Sequence, residues 1–315
     1  MISVRWDNNR CQNKPELPQG WVFFTFAKGE RPLWCDYSPN IEHRLEIIRR
    51  KAENDAQYAE MSSAADILHI ESCARPIDAL IRHKVVVQTQ HPPYQHALDP
   101  SRDYVYLALD AYRYPFASLQ SATNDDWTYL GPWRSRFFLA DVMDSLSRIL
   151  KIPFCETGTF PCEKLDSGIC RGYCLALEDE RNEAELPDLQ KLDALLREAY
   201  LHPHNGILEM VNQQRDKYFD DLEFEKADLL DDEIANLGKY RDWLNFLYVS
   251  KELAFATPEF RVEGGMLRSC VWEGVEYQFP AGNTEYRENE RLALNLSDVD
   301  EARVLYDYYI KNIKG

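Results

Sequence analysis

The first hundred residues alternate between short apolar runs with the period of strands and longer runs with the spacing of helices. Residues 20–26 (GWVFFTF) are aromatic and β-branched, which is typical of a strand. Ile41, Leu45 and Ile48 follow Pro39 at helical intervals and predict one face of a helix. In chain order the pattern predicts strands at 20–26 and 32–35, a helix from Pro39, a strand at 67–70 and a helix from Pro76 to His91. These elements predict a small mixed α+β domain over residues 1–98.

The pattern divides the rest of the chain into four segments. Residues 99–154 are predicted to form a connecting segment, with a strand at 104–109, a turn at 130–133 and a helix at 138–151. Residues 155–178 hold a group of cysteines. Residues 185–248 are predicted as helical, beginning at Pro187, with breaks at about Leu222 and near Gly238. Residues 249–315 are predicted as a small α+β region of unknown role, with a meander at 260–279 and a closing helix at 298–313. The predicted fold class is therefore α+β.

Charge limits the partners that the sequence can favour. The 315 residues include 36 Lys and Arg against 53 Asp and Glu, a net charge of −17. Because nucleic acids are bound chiefly through cations on phosphates, this balance argues against tight binding of bare DNA by the whole chain. A local basic face that binds DNA weakly is still predicted on the first helix, at Arg44, Arg49, Arg50 and Lys51. No apolar run long enough for a membrane span and no signal core behind Met1 occur, so we expect a cytoplasmic protein without a membrane partner.

Four cysteines lie close together at Cys155, Cys162, Cys170 and Cys174. In a cytosolic protein such a group predicts a metal site more than disulfides. Four thiolates complete either a tetrahedral zinc site or an iron–sulfur cluster. The gaps between these cysteines are wider than in the paired C-x2-C motifs of zinc ribbons. The alternative without a metal is four buried free thiols.

The last three cysteines carry the spacing C-x7-C-x3-C. This spacing resembles a motif of the DNA excision-repair nuclease UvrC and its shorter relative Cho. The preceding Gly131-Pro132, a predicted helix and Cys155 are similar to the lead-in of the same motif. The resemblance implies a 4Fe–4S cluster on the four cysteines, with zinc as the alternative.

An apolar stripe follows in the predicted helical segment, with Phe224, Ala227, Leu230, Ile234 and Leu237 at intervals of three and four residues. The stripe resembles the UVR motif of UvrB and UvrC, although Asp228 and Asp231 depart from it. The resemblance implies a helical hairpin that binds a UvrB-like protein. An ordinary packed helix explains the same spacing.

The order of the first five elements resembles the GIY-YIG nuclease domain. Residues 34–44 (WCDYSPNIEHR) align with the family's Y-V-G-K-S-x-N-L-x-x-R. Arg44 is the one catalytic position that this sequence keeps. The other family positions hold Phe24 and Trp34 for the two tyrosines, Tyr37 for the lysine, His83 for the metal-binding glutamate and Gln95 for the asparagine.

These substitutions predict a protein that does not cut DNA. Phe24 and Trp34 cannot accept a proton, and His83 is a poor ligand for magnesium, which prefers oxygen. The favoured hypothesis is a UvrC- or Cho-like binding or adaptor protein, without room for the family's second, RNase H-like nuclease domain. One alternative is an active nuclease that uses magnesium at a rearranged site of Arg44, Tyr37 and His83. Another is a regulatory or structural protein that does not bind DNA.

Overall fold

The computed structural model describes residues 1–7, 10–12, 16–96, 98, 104–123, 126–153, 162–177, 188–202, 207–280 and 292–314. It confirms the α+β class. The chain divides into two compact units. One unit holds residues 1–102, 252–283 and 297–315, and the other holds residues 103–251 and 284–296. In the described ranges no helix is both long and apolar enough to cross a membrane.

A five-stranded antiparallel sheet forms the centre of the first unit. Its strands are β1 (Ile2–Asp7), β2 (Arg10–Cys11), β3 (Val22–Lys28), β4 (Arg31–Ser38) and β5 (Ile67–Ser72), in the order β2-β1-β5-β3-β4. Helices α1 (Ile41–Asn54) and α2 (Ala56–Ala64) cover one face, and α3 (Pro76–Gln90) contacts the other. The five predicted elements are confirmed, and β1 is an additional strand that pairs with β5.

The second unit combines a three-stranded sheet with helices. Its strands are β6 (Val105–Leu109), β7 (Ala117–Gln120) and β8 (Thr128–Trp133), in the order β7-β6-β8. The helices are α4 (Arg136–Leu150), α5 (Glu163–Asp166), α6 (Leu189–Leu201), α7 (Ile207–Asp220) and α8 (Phe224–Ser250).

Two predictions for this unit are wrong. The expected turn at 130–133 belongs to β8, because Gly131 pairs through its backbone with Leu292 and Leu294. The expected break near Gly238 does not occur, since α8 continues through it. A helical glycine costs only about 1 kcal/mol. Burial of Leu237 and Tyr240 on either side offsets that cost. The break at Leu222 is confirmed, with Leu222 at a φ of 63° between α7 and α8.

The C-terminal elements return to the first unit. Strands β9 (Phe255–Ala256), β10 (Phe260–Glu263), β11 (Met266–Trp272) and β12 (Val275–Gln278) form an antiparallel sheet in the order β12-β11-β10-β9. Helix α9 (Val299–Tyr309) follows, and residues 310–314 continue it as a π-helical turn. The predicted meander is confirmed. These elements share a hydrophobic core with α3, so β9–β12 and α9 stabilise the face of α3 that points away from the five-stranded sheet.

Candidate functional site

The junction of β4 and α1 places Arg44 against Asp36. Ser38 and Asn40 shape this junction, because Ser38 Oγ accepts from Asn40 N at 3.1 Å and Asn40 Oδ1 caps α1 by accepting from His43 N at 3.0 Å. The second turn of α1 therefore faces the end of β4. Arg44 Nε donates to Asp36 Oδ2 at 2.8 Å, and Arg44 Nη2 contacts the same oxygen. Only 6% of Arg44 is exposed.

This ion pair changes what Arg44 can do. The guanidinium charge is offset inside the protein by the Asp36 carboxylate. Arg44 Nη1 is also buried, and it has no acceptor among the described groups. An incoming phosphate would therefore compete with Asp36 for the guanidinium. Sequence reasoning did not single out Asp36, although a carboxylate eight residues before Arg44 was a visible signal.

His83 lies next to Gln95 and the edge strand β4. The side chain of Gln95 bridges the backbone of Cys35, since Gln95 Oε1 accepts from Cys35 N at 3.0 Å and Nε2 donates to Cys35 O at 3.1 Å. Gln95 Nε2 is also 3.1 Å from His83 Nε2. Because the amide nitrogen is a donor, His83 Nε2 must accept, which requires a neutral imidazole.

Electrostatics around His83 agree with this hydrogen bond. Burial lowers the pKa of His83 from its usual 6.5 to about 4, with a smaller raising effect from Asp36 and a lowering effect from Lys84. The ring of Tyr37 packs edge-on against His83, with centroids 5.3 Å apart. At neutral pH the site thus holds an uncharged imidazole at position 83.

The candidate residues lie on two sides of the sheet. Phe24 and Trp34 face α1 and α2 in the main core, where their rings are 6.0 Å apart and almost inaccessible to water. Tyr37, His83 and Gln95 come together on the side of α3. Phe24 and Trp34 therefore serve packing, and the polar members that remain together are Tyr37, His83 and Gln95.

The basic residues predicted on α1 have acidic or aromatic neighbours. Arg49 donates to Glu46 at 2.7 Å and to Glu53 at 2.9 Å. The remaining two also have neighbours, with Arg50 Nε at 3.9 Å from Glu46 and Lys51 Nζ at 5.6 Å from the centre of the Tyr58 ring. These pairs lower the positive charge that α1 presents, and the weak DNA face stays a prediction.

Three of the four clustered cysteines are described, and Cys155 lies outside the described residues. Cys162 directly precedes α5, and Cys170 and Cys174 follow it, all three partly buried. Gly172 N donates to Cys170 Sγ at 3.2 Å. Within the described ranges no three His, Cys, Asp or Glu side chains are arranged to hold a metal ion. The four-cysteine metal site therefore stays a prediction.

The residues of the predicted partner-binding stripe differ in how exposed they are in the hairpin of α7 and α8. Ala227 and Leu237 are buried, and Leu230 and Ile234 are partly buried. Phe224 is 48% exposed at the tip, where its ring lies 5.2 Å from that of Phe219. The apolar residues exposed at this tip are Phe219, Leu222, Phe224 and Leu229, which we call the hairpin tip.

Comparison with known proteins gives distant relatives. No family model and no solved structure matches the chain. UvrABC system protein C of Ectopseudomonas mendocina is 23% identical over 251 residues, which cover 76% of this chain and 40% of that protein. The protein of the same name from Fervidobacterium nodosum is 21% identical over 249 residues, 78% of this chain and 41% of its own length.

A third relative is UvrABC system protein C of Pseudomonas savastanoi pv. phaseolicola, 23% identical over 239 residues. These matches support a UvrC-like relationship. The matched part spans about 40% of the length of the UvrC relatives. The resemblance inferred from the motifs thus agrees with whole-sequence similarity.

Proposed function

We propose that the protein is a UvrC-like participant in nucleotide excision repair that binds other components and does not cut DNA through its GIY-YIG-like domain. The observation that carries this proposal is the ion pair of Arg44 with Asp36. The arginine that would stabilise a phosphate in a family nuclease is already neutralised by a neighbouring carboxylate. A substrate phosphate would have to displace an acceptor 2.8 Å from Arg44 Nε.

The surrounding residues support the same proposal. Cleavage of a phosphodiester needs a base and usually a metal ion on a carboxylate. Phe24 and Trp34 lie in the core without a proton acceptor, and His83 offers a nitrogen that Gln95 already occupies. Losing one transition-state contact typically costs about a hundred- to a thousandfold in rate. Because base and metal ligand are both replaced, we expect no cleavage above background.

The test is a nicking assay on damaged and branched DNA with Mg²⁺ and with Mn²⁺. Wild type is compared with the double variant Asp36→Asn/Arg44→Gln, which removes both charges without leaving one buried alone. We expect no product from either protein. Metal-dependent nicking by wild type that disappears in the double variant would establish the rival function, an active nuclease at a rearranged site of Arg44, Tyr37 and His83.

The partner that we propose is a UvrB-like protein bound at the hairpin tip. Support comes from four large apolar side chains exposed at or near the turn between α7 and α8, of which Phe219 and Phe224 have ring centroids 5.2 Å apart. Isolated exposed residues of this kind are common, but several exposed apolar residues in one region often mark a protein interface. Ala227 and Leu237 are buried, so they stabilise α8 within the protein and do not contact the partner.

Capture of the full chain by an immobilised UvrB protein tests this partner. Phe224→Ala should weaken the complex by about 2 kcal/mol, roughly thirtyfold, if Phe224 is an anchor. Tyr248→Ala is the matched control, since Tyr248 is 49% exposed on the same helix but far along it from the tip. Capture of neither wild type nor control would remove the UvrB-like partner and leave a regulatory role outside repair. Equal capture of all three would remove only the role of Phe224.

We also propose that Cys155, Cys162, Cys170 and Cys174 hold a 4Fe–4S cluster, with zinc as the alternative. The support is the C-x7-C-x3-C spacing together with the Gly172 hydrogen bond to Cys170 Sγ. A cluster at this position would link both ends of a segment that has only short helices in its described part.

A further inference from the structure

The second unit exposes a large aromatic side chain directly after two exposed arginines in the chain. Phe137 lies in the first turn of α4 with 85% of its surface accessible, and it makes no ring contact with another described residue. Arg134 and Arg136 are its exposed neighbours. Packing does not explain the exposed Phe137 ring. The neighbouring Phe138 is the one that packs on Trp133, with ring centroids 6.3 Å apart.

A second aromatic ring extends this surface. Trp243 on α8 is partly exposed, and the Arg134 guanidinium lies 5.6 Å from its centre. The ring is fixed in place, since Trp243 Nε1 donates to Pro132 O at 3.1 Å. Trp133 below it stacks parallel on Tyr240 with centroids 4.8 Å apart. Lys239 is exposed one helical turn before Trp243 on α8, so the two residues share a helix face. We call Arg134, Arg136, Phe137, Lys239 and Trp243 the aromatic–basic patch.

Charge on the patch is opposite to that of the whole chain. Arg136 and Lys239 are exposed, and neither forms an ion pair with a described residue. Asp242 beside Trp243 is paired with Arg241 at 3.2 Å, so it does not neutralise the patch. Asp141, one turn beyond Phe137, is the nearby acidic residue on α4. A patch with excess cations on a protein of net charge −17 favours a ligand of strong negative charge.

We infer that the aromatic–basic patch binds single-stranded nucleic acid. The arginines and Lys239 would contact phosphates, and an unstacked base would lie on the Phe137 ring. Proteins bind single strands through this combination of cations and exposed aromatic faces. The inference rests on the proposed role in DNA repair and adds to it a DNA-contacting surface other than the GIY-YIG-like site and the basic face of α1.

An acidic protein segment is the competing occupant. Carboxylates would pair with the arginines equally well, but they would not explain an aromatic ring with 85% of its surface exposed next to the cations. A nucleotide would use both kinds of group, because its base stacks on the aromatic ring while its phosphate contacts the cations. The patch therefore fits a nucleic acid better than an acidic peptide.

The experiment measures binding of a fluorescein-labelled oligothymidylate to the full chain by anisotropy, over a range of salt concentrations. Phe137→Ala should weaken binding about tenfold, since base stacking on one aromatic residue is lost. Arg136→Gln should reduce the slope of log affinity against log salt by about 0.7, as expected for one lost phosphate contact on a single strand. Tyr112→Ala and Arg197→Gln are matched controls, because both residues are exposed in the same unit away from the patch. The controls should bind like wild type.

Three results would overturn the inference. Wild type could fail to bind oligothymidylate at low salt, or Phe137→Ala could bind as tightly as Tyr112→Ala. Polyglutamate could also compete as effectively as unlabelled oligothymidylate, which would assign the patch to an acidic protein. Because Phe137 is almost fully exposed, its removal should leave the urea midpoint unchanged, so lost binding would not reflect unfolding. The nicking and UvrB-capture assays use the same samples, and their outcomes decide the proposed function independently of the patch.

Discussion

Arg44 and Asp36 form a buried ion pair across the β4–α1 junction, with Arg44 Nε donating to Asp36 Oδ2 at 2.8 Å. The side chains of Arg44 and Asp36 keep 7% and 13% of their surface exposed. Such a pair differs from the exposed pairs of Arg49, because little water is present to screen or replace either partner.

Removing one member of this pair should be costly. Arg44→Gln leaves the Asp36 carboxylate buried without its counter-charge, so we expect the free energy of unfolding to fall by about 3–5 kcal/mol. The double variant Asp36→Asn/Arg44→Gln should lose less, since no buried charge remains. Urea titration followed by circular dichroism measures both. Arg49→Gln on the same helix is the control and should change the unfolding free energy by less than about 1 kcal/mol. Equal effects of Arg44→Gln and Arg49→Gln would show that the Asp36 pair contributes little.

His83 should make stability depend on pH. Its pKa in the folded protein is lowered to about 4, against an ordinary value of 6.5, so between these values the unfolded chain binds the proton more strongly. The free energy of unfolding should therefore be highest above about pH 6.5 and decrease by up to about 3 kcal/mol as the pH falls to 4. Urea titrations at pH 7 and pH 5 measure this change.

The control for this pH effect is His83→Gln, which keeps a polar side chain at the position but cannot titrate. Its stability should change less than that of wild type between pH 7 and pH 5. A parallel decrease in both proteins would assign the effect to other groups and would contradict the neutral imidazole inferred from Gln95 Nε2.

A second buried pair should hold the C-terminal elements on α3. Lys84 Nζ donates to both oxygens of Glu301 at 2.6 and 2.7 Å, and Leu267 N donates to Glu301 Oε1 at 2.8 Å. Glu301→Ala leaves two donors without their acceptor, so we expect a loss of about 3–5 kcal/mol in urea. Arg303→Ala breaks a more exposed pair with Asp307 and should cost less, about 1 kcal/mol. A loss no larger for Glu301→Ala would mean that apolar contacts alone hold α9.

The cysteine group predicts a coloured protein. Anaerobically purified wild type should be brown, with iron and sulfide in about equal amounts, as in a 4Fe–4S cluster. Cys170→Ser should lose most of the iron, whereas Cys11→Ser, a partly buried cysteine far along the chain, should keep it. About one zinc per chain and no visible absorbance in a sample never exposed to air would contradict the cluster and favour the zinc alternative.

Periodicity was enough to locate most elements of the first unit. Residues 20–26, 32–35 and 67–70 became β3, β4 and β5 because strands and helices follow different spacings of apolar residues. The same reasoning failed at residues 130–133, where Gly131 and Pro132 are common turn residues. Backbone pairing with residues 292–294 keeps them in a strand instead, and a local sequence pattern cannot show a partner 160 residues away.

The sequence by itself determined the chemistry available to this protein: an arginine at position 44, a histidine at 83 and no tyrosine at 24 or 34. It also determined the resemblance to UvrC, since motif spacing is a property of the chain alone. Only the tertiary structure decided that Arg44 is neutralised by Asp36, and that His83 must be uncharged against Gln95. The reason is that pKa values and charge pairing depend on burial and on distances of a few ångströms between segments. The sequence alone specifies neither.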